Sequence, residues 1–243
     1  RHAQGHWVWW RNLGRVMQRN PEGGPTLLAG ISIDITDQRT QREQIDHFRH
    51  NDALTGLPNR RTFVAQLAET MAKFDATTTR LGVAYLDLDG LSAINTAYGR
   101  DIGSEVVLEV SRRLVSGLSD GQLLGHIGGD EFAVVLSDLD QPSSYTTPLQ
   151  QLLKAVAEPM RLQHITVNLT ASIGLALYPQ AETVDAEQLL RQADQAMYLA
   201  KLAGKNRFHL FDPVNDETTR EKLARIEDIR RGLAQGEFVL YYQ

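Results

Sequence analysis

The chain has 243 residues, with 25 Lys and Arg against 30 Asp and Glu, a net charge of -5 and no cysteine. The absence of cysteine excludes thiolate zinc sites, and the acidic balance gives no support to a nucleic-acid-binding face. No run approaches the roughly 20 apolar residues of a membrane span and no signal peptide is legible, so a cytoplasmic location is expected, compatible with a membrane anchor elsewhere in a longer parent.

Residues 1–36 hold two β-like runs, His6-Trp7-Val8-Trp9-Trp10 and Thr26 to Ile35, on either side of the turn-rich segment Asn20 to Pro25. So short a stretch cannot enclose a core of its own. Its three tryptophans are read as core packing rather than ligand contacts. Residues 37–51 are highly charged and read as a connecting helix, either a coupling element or a plain spacer.

Pro58 to Phe74 reads as a helix. Leu81 to Leu88 is nearly continuously apolar, the pattern of a strand buried on both faces. Asp87 and Asp89 flank its C-terminal end, where ligand crevices form in α/β proteins. A helix at about 101–118 follows, with Val107, Val110, Leu114 and Leu118 at helical spacing. Then come strands at 122–128 and 131–137, a helix at about 147–158 and a strand near 164–177. A helix at 187–203 carries Leu190, Ala193, Met197 and Ala200 on one face, and a strand at 206–211 closes the unit. Residues 213–243 begin another unit, with a helix over 217–235 that has Leu223, Ile226 and Leu233 on its apolar face.

The densest chemistry lies in His126-Ile127-Gly128-Gly129-Asp130-Glu131-Phe132. Gly-Gly between short β-prone runs is a tight hairpin signal, because glycine supplies the positive φ that such turns need. The turn delivers two consecutive carboxylates, and the pleat sends them to opposite faces. One can address a site while the other faces away or braces it. If the Asp87 strand lies beside this hairpin, Asp87 and Asp130 converge. A few oxygen ligands, with room for phosphate oxygens and water, suit Mg²⁺.

These residues resemble the GGDEF family of diguanylate cyclases. Asp52-Ala53-Leu54-Thr55-Gly56-Leu57-Pro58-Asn59-Arg60 matches the family's opening motif, Asp87-Leu88-Asp89 its metal strand, and Ile94-Asn95 with Tyr98-Gly99 its nucleotide segment. Gly128 to Phe132 is the signature turn unchanged. Thr170 to Gly174 matches a downstream strand. Ala193-Asp194, Ala196-Met197-Tyr198, Ala200-Lys201 and Gly204-Lys205-Asn206 match the last helix and its exit. The matches follow the family's order and cover about residues 50–212. The implied fold is α+β, a palm-like β-α-β-β-α-β antiparallel sheet core with surrounding helices. Residues 1–36, ending Asp34-Ile35-Thr36-Asp37, look like the tail of a PAS sensor domain. Residues 232–243 resemble the opening of an EAL phosphodiesterase domain, although the Glu-Ala-Leu motif itself is absent.

The resemblance implies a chemistry. Two GTP molecules are joined, the 3′-hydroxyl of each attacking the α-phosphorus of the other, in a homodimer that brings two domains face to face. Asp87, the backbone carbonyl of Leu88 and Asp130 are implied to hold Mg²⁺ or Mn²⁺. Glu131 is implied near the attacking hydroxyl, as a base or as its orienting acceptor. Asn95, Ser104 and Gly129 are implied in nucleotide binding. Lys201 and Lys205, taken as i, i+4 on one helical face, suit the triphosphate tail, although spacing alone favours a solvated helix end.

Several positions depart from the family pattern. Ser92 stands where the family has a lysine, Ser104 where it has an aspartate, His126 where it has an arginine, and Arg100 where it has a histidine. Lys205 replaces an arginine and loses its fork geometry. The inhibitory Arg-x-x-Asp product site corresponds to Ser119 and Gln122, so no such site is expected. Intact metal carboxylates with altered substrate contacts lead to two readings: a GTP-binding module regulating a downstream EAL phosphodiesterase, with weak turnover, or an active cyclase.

Overall fold

The computed structural model describes residues 7–39, 49–74, 79–119, 122–213 and 215–216, arranged as two compact units split at His50 and Asn51. Most of the expected connecting helix, and the expected helix and EAL-like strand of 217–243, lie outside the described residues.

The first unit is a hairpin of β1 (Trp10–Arg19) and β2 (Pro25–Asp34), paired antiparallel with a bulge near Val16 and Gln18. Asn20 closes the turn, its side chain accepting from Gly24 N at 2.6 Å while its carbonyl accepts from Gly23 N at 2.9 Å. The first strand therefore starts at Trp10, where the His6–Trp10 run had been expected to be the strand. Trp7, Trp9 and Trp10 are 69%, 50% and 57% exposed. A two-stranded ribbon has two open faces. Arg39 stacks its guanidinium 3.8 Å from the Trp9 ring centroid.

The second unit is built on a five-stranded sheet in the order β4-β5-β3-β8-β9. Its elements are α1 (Arg60–Lys73), β3 (Leu81–Asp89), α2 (Leu91–Tyr98), α3 (Arg100–Gly117), β4 (Leu124–Gly128), β5 (Glu131–Leu136), α4 (Pro142–Ala157), a small hairpin of β6 (Met160–Leu162) and β7 (Ile165–Val167), β8 (Thr170–Tyr178), α5 (Ala186–Leu202) and β9 (Arg207–Leu210). The palm-like α+β core is present. Pairing is antiparallel from β4 to β8, but β9 joins β8 in parallel. α5 is the crossover that a parallel connection needs.

The central strand β3 explains its own composition. Leu81, Val83 and Tyr85 pack with Phe63 and Leu67 of α1 and with Leu190 and Ala193 of α5. Ala84, Leu86 and Leu88 face α2, α3 and α4 in the larger core. Both faces are covered, so the strand is apolar without alternation. Asn59 caps α1 by accepting from Thr62 N at 3.0 Å, and Asp185 with Gln188 forms a capping box on α5. Gly174 lets α5 lie directly on β8, since a Cβ there would collide with the backbone of Ala193 and Met197.

Three boundaries differ from expectation. α4 begins at Pro142 rather than near 147, with a proline at its first position and Pro148 tolerated inside; Leu149, Leu152 and Val156 bury its face. The strand expected near 164–177 divides into β7 and β8. α2 had not been read as a helix because eight residues between two glycines give too little periodicity.

Candidate functional site

The signature turn joins β4 to β5. Gly129 adopts the left-handed conformation at φ 58°, and Gly128 pairs with Glu131 across the hairpin. β3 lies beside β5 with Asp87 directly opposite Glu131, and Leu88 N donates to the Asp130 carbonyl at 3.1 Å. The expected convergence of Asp87 with the turn is therefore built by strand register.

The two acids of the turn part company, as the pleat requires. Asp130 lines a cleft of about 430 Å³ bounded by α2, α3 and the turn. Glu131 lies with Tyr85 on the α5 side of the sheet. Burial first, and then the Glu131 carboxylate to which it hydrogen-bonds, push the Tyr85 phenol well above its usual range.

Asp87 is 6% exposed. Burial raises its carboxyl above the ordinary value; the hydrogen bond from Lys201 opposes this, and the charges of Asp130 and Glu131 add to the rise. Lys201 Nζ sits 2.6 Å from Asp87 Oδ2. A cation is thus already drawn to the place where the acidic groups crowd one another. The donors are all hard oxygens, the chemistry of Mg²⁺ or Mn²⁺. Among the described residues, no three His, Asp or Glu side chains form a metal-holding cluster. An ion here would rest on two carboxylates and a carbonyl and need further oxygens from its substrate.

Asp89, at the end of the same strand, is structural. It accepts from Thr170 Oγ1 at 2.8 Å, Ser172 Oγ at 2.9 Å and Asn206 N at 3.2 Å, joining β3, β8 and the exit of α5.

Of the residues assigned to nucleotide binding, Asn95 on α2, Ser104 on α3 and Gly129 in the turn line one cleft with Asp130. Ser92 and Arg100, two of the departures from the family pattern, line it too. Lys201 is at Asp87 instead. Lys205 corrects the helical-face reading: α5 ends at Leu202, and Lys205 lies beyond it at φ 62°. The stop is a Schellman motif at Gly204, with Gly204 N donating to Lys201 O and Lys205 N to Ala200 O. The two lysines therefore do not share a helix face.

Sequence reading had not placed Asp52 and His126 in the cleft. His126 is 4% exposed, Nδ1 lying 2.8 Å from Asp52 Oδ1 and Nε2 3.1 Å from the Gly129 carbonyl, with its ring stacked on Phe132 at 4.7 Å. The opening motif and the signature turn are thus clamped together. The available signal was the pairing of an acid in the opening motif with a basic residue just before the turn.

The fold and this cleft define a palm-like α+β domain with acidic groups at the edge of an open pocket. The chain matches the model of the diguanylate cyclase GGDEF domain over residues 49–207 and belongs to that family, the GGDEF domains of cyclic di-GMP signalling proteins. It is similar to the bifunctional diguanylate cyclase/cyclic di-GMP phosphodiesterase MucR of Pseudomonas aeruginosa, 34% identical over 89% of this chain and 31% of that protein. It is also similar to the cyclic di-GMP phosphodiesterase PdeR of Escherichia coli, 33% identical over 89% of this chain and 32% of that protein. The chain therefore spans about a third of the length of these relatives. Among solved structures, it resembles the GGDEF domain of TpbB from Pseudomonas aeruginosa, with a TM-score of 0.66 and 31% identity over 71% of this chain and 99% of that one. A sensory box/GGDEF family protein from Caulobacter crescentus gives 0.60 and 33% over 64% and 99%. Among the described residues, no helix is long and apolar enough to cross a membrane.

Proposed function

We propose that this domain binds GTP with Mg²⁺ or Mn²⁺ and serves as a regulatory module for a downstream EAL phosphodiesterase, with little cyclase turnover. The observation that carries the reading is the cleft of about 430 Å³ that unites Asn95, Ser104, Gly129 and Asp130, a volume in the range of small-molecule sites. Asp87, Asp130 and the Leu88 carbonyl would hold the metal, which when bound would neutralise triphosphate charge and orient its oxygens. Asn95 faces the base and Ser104 offers it one hydroxyl. Lys201 exchanges its Asp87 contact for the triphosphate as the acidic charge is neutralised, and Lys205 adds a further positive charge for the tail.

Ser92 and Ser104 favour regulation over synthesis. Ser92 brings no positive charge to developing phosphate charge, and loss of one such donor commonly costs about 10²–10³ in rate. Ser104 cannot receive two donors as a carboxylate can. The second reading, an active cyclase condensing two GTP as a homodimer, draws on the intact signature turn and on Glu131, which would orient or deprotonate the attacking hydroxyl. In either reading the flanking segments belong to PAS and EAL units of a longer signalling protein.

Calorimetry of GTP with Mg²⁺, run beside chromatography of the products, separates the readings. A regulatory module binds GTP and returns it unchanged; a cyclase releases pyrophosphate and cyclic di-GMP. In the parent protein, GTP should raise the rate or lower the apparent KM of cyclic di-GMP hydrolysis. That effect should persist with a non-hydrolysable analogue and vanish with Asp130→Ala. Hydrolysis indifferent to bound GTP would leave the cyclase reading standing.

A further inference from the structure

Both ring nitrogens of the buried His126 face acceptors. Nδ1 lies 2.8 Å from Asp52 Oδ1, and Nε2 lies 3.1 Å from the Gly129 carbonyl oxygen. A neutral imidazole has one donor and one acceptor, so it satisfies only one of these contacts. A proton on Asp52 would reverse the first contact, but Oδ1 already accepts from Leu54 N at 3.1 Å, Thr55 N at 2.8 Å and Thr55 Oγ1 at 2.9 Å. Burial opposes ionisation there, yet the hydrogen bonds from His126 and Thr55 outweigh it and keep the Asp52 carboxyl below its ordinary value. Thr55 Oγ1 also lies 3.4 Å from Nδ1, but its single proton is given to Asp52.

We propose that His126 is a positioning residue that acts as an imidazolium: its two N–H groups tie Asp52 of the opening motif to the Gly129 carbonyl of the signature turn, and loss of one proton releases that turn.

The Gly129 carbonyl belongs to the peptide unit that leads into Asp130, so Nε2 fixes the backbone on which Asp130 stands. The other restraints on His126 do not titrate. Its backbone N–H donates to Pro58 O at 2.9 Å, it bridges to Asn59, and its ring stacks on Phe132 of β5. Asp52, Asp130 of the turn and Arg100 of α3 are the charged groups that line the cleft with it, while α1 presents Phe63 at the adjacent Gly125. As pH rises the ring keeps one proton. A carboxylate is the stronger acceptor, so Nδ1–H stays on Asp52 and Nε2 turns a lone pair toward the Gly129 carbonyl. The clamp on the turn is therefore present in the charged form and lost as pH rises.

Nuclear magnetic resonance of the ¹⁵N-labelled full chain tests the charge directly. At neutral pH the His126 ring, recognised by its contacts with Phe132, should carry protons on both nitrogens. In alkali the Nε2 proton should disappear and the backbone signals of Gly129 and Asp130 should move with it. In His126→Arg, which keeps its charge and several donors, those backbone signals should stay still. A singly protonated ring at neutral pH, or Gly129 and Asp130 signals that move equally in His126→Arg, overturns the proposal. Binding of GTP with Mg²⁺ rests on the nucleotide role proposed above. It should weaken by roughly tenfold through the same titration in wild type and hold in His126→Arg. In His126→Gln, which donates to only one side, it should be weak at every pH. Parallel pH profiles for wild type and His126→Arg overturn the positioning role, whereas absence of binding by wild type at any pH overturns the nucleotide role alone.

Discussion

Buried His126 and half-buried Asp52 form a pair, Nδ1 to Oδ1 at 2.8 Å, that fastens the loop before α1 to the strand leading into the signature turn. The other ring nitrogen reaches the Gly129 carbonyl at 3.1 Å, so one imidazole bridges two segments that are distant in sequence. His126→Ala should destabilise the domain by about 2–4 kcal/mol, combining lost packing with unmet hydrogen bonds. Burial works to raise the Asp52 carboxyl, but the hydrogen bonds from His126 and Thr55 outweigh it and hold it below the usual 3.8. A depressed carboxylate adds stability that is present above its unfolded value and lost as pH falls through its folded one. Urea titrations should therefore show the gap between wild type and variant narrowing once the pH drops below that ordinary carboxylate value. A gap unchanged in acid would mean the pair contributes through packing alone.

Asp130→Ala should weaken Mg²⁺-dependent GTP binding by at least roughly tenfold without loosening the fold. Asp130 lies in a turn, and its charge is one of those that raise the neighbouring Asp87 carboxyl. Removing it lets Asp87 ionise more easily beside Lys201. Calorimetry measures the binding and thermal unfolding the fold; equal affinity for GTP with Mg²⁺ present would remove Asp130 from the metal site.

Ser92→Lys with Ser104→Asp should raise cyclic di-GMP synthesis by roughly tenfold or more and increase the preference for GTP over ATP. Each change restores one interaction in the same cleft, one at phosphate and one at the base. A double variant with unchanged rate and unchanged base preference sinks the proposal that these two serines limit turnover.

Cyclic di-GMP should not bind tightly at Ser119 and Gln122. The two residues are hydrogen-bonded to each other, Ser119 N donating to Gln122 Oε1 at 3.0 Å and Gln122 N to Ser119 O at 3.1 Å. Neither side chain carries the charge that pairs with a cyclic dinucleotide's phosphates. Saturable binding lost in Ser119→Ala/Gln122→Ala would contradict this.

Gly174→Ala should cost stability at the upper end of the roughly 1–3 kcal/mol typical of overpacking. The atoms it would meet are backbone of Ala193, Ala196 and Met197 on α5, which cannot swing aside as a side chain can. Chemical denaturation reads the effect, and a neutral outcome would show that α5 shifts on β8 at little cost.

The sequence by itself determined the β3 strand, the signature hairpin, the helices α1, α3 and α5, and the family, because each is carried by a local pattern: an unbroken apolar run, a Gly-Gly turn, a helical period or a motif. It also named Asp87, Asp130, Asn95 and Ser104 as site residues. Only the tertiary structure decided which of these meet. Strand register sets Asp87 opposite Glu131 and hooks Leu88 to Asp130, and register depends on pairings between residues far apart in the chain. The same long-range packing brings His126 to Asp52 and turns Arg100 into the cleft. It also ends α5 before Lys205, because a glycine-centred hydrogen-bond closure outweighs continued helical spacing.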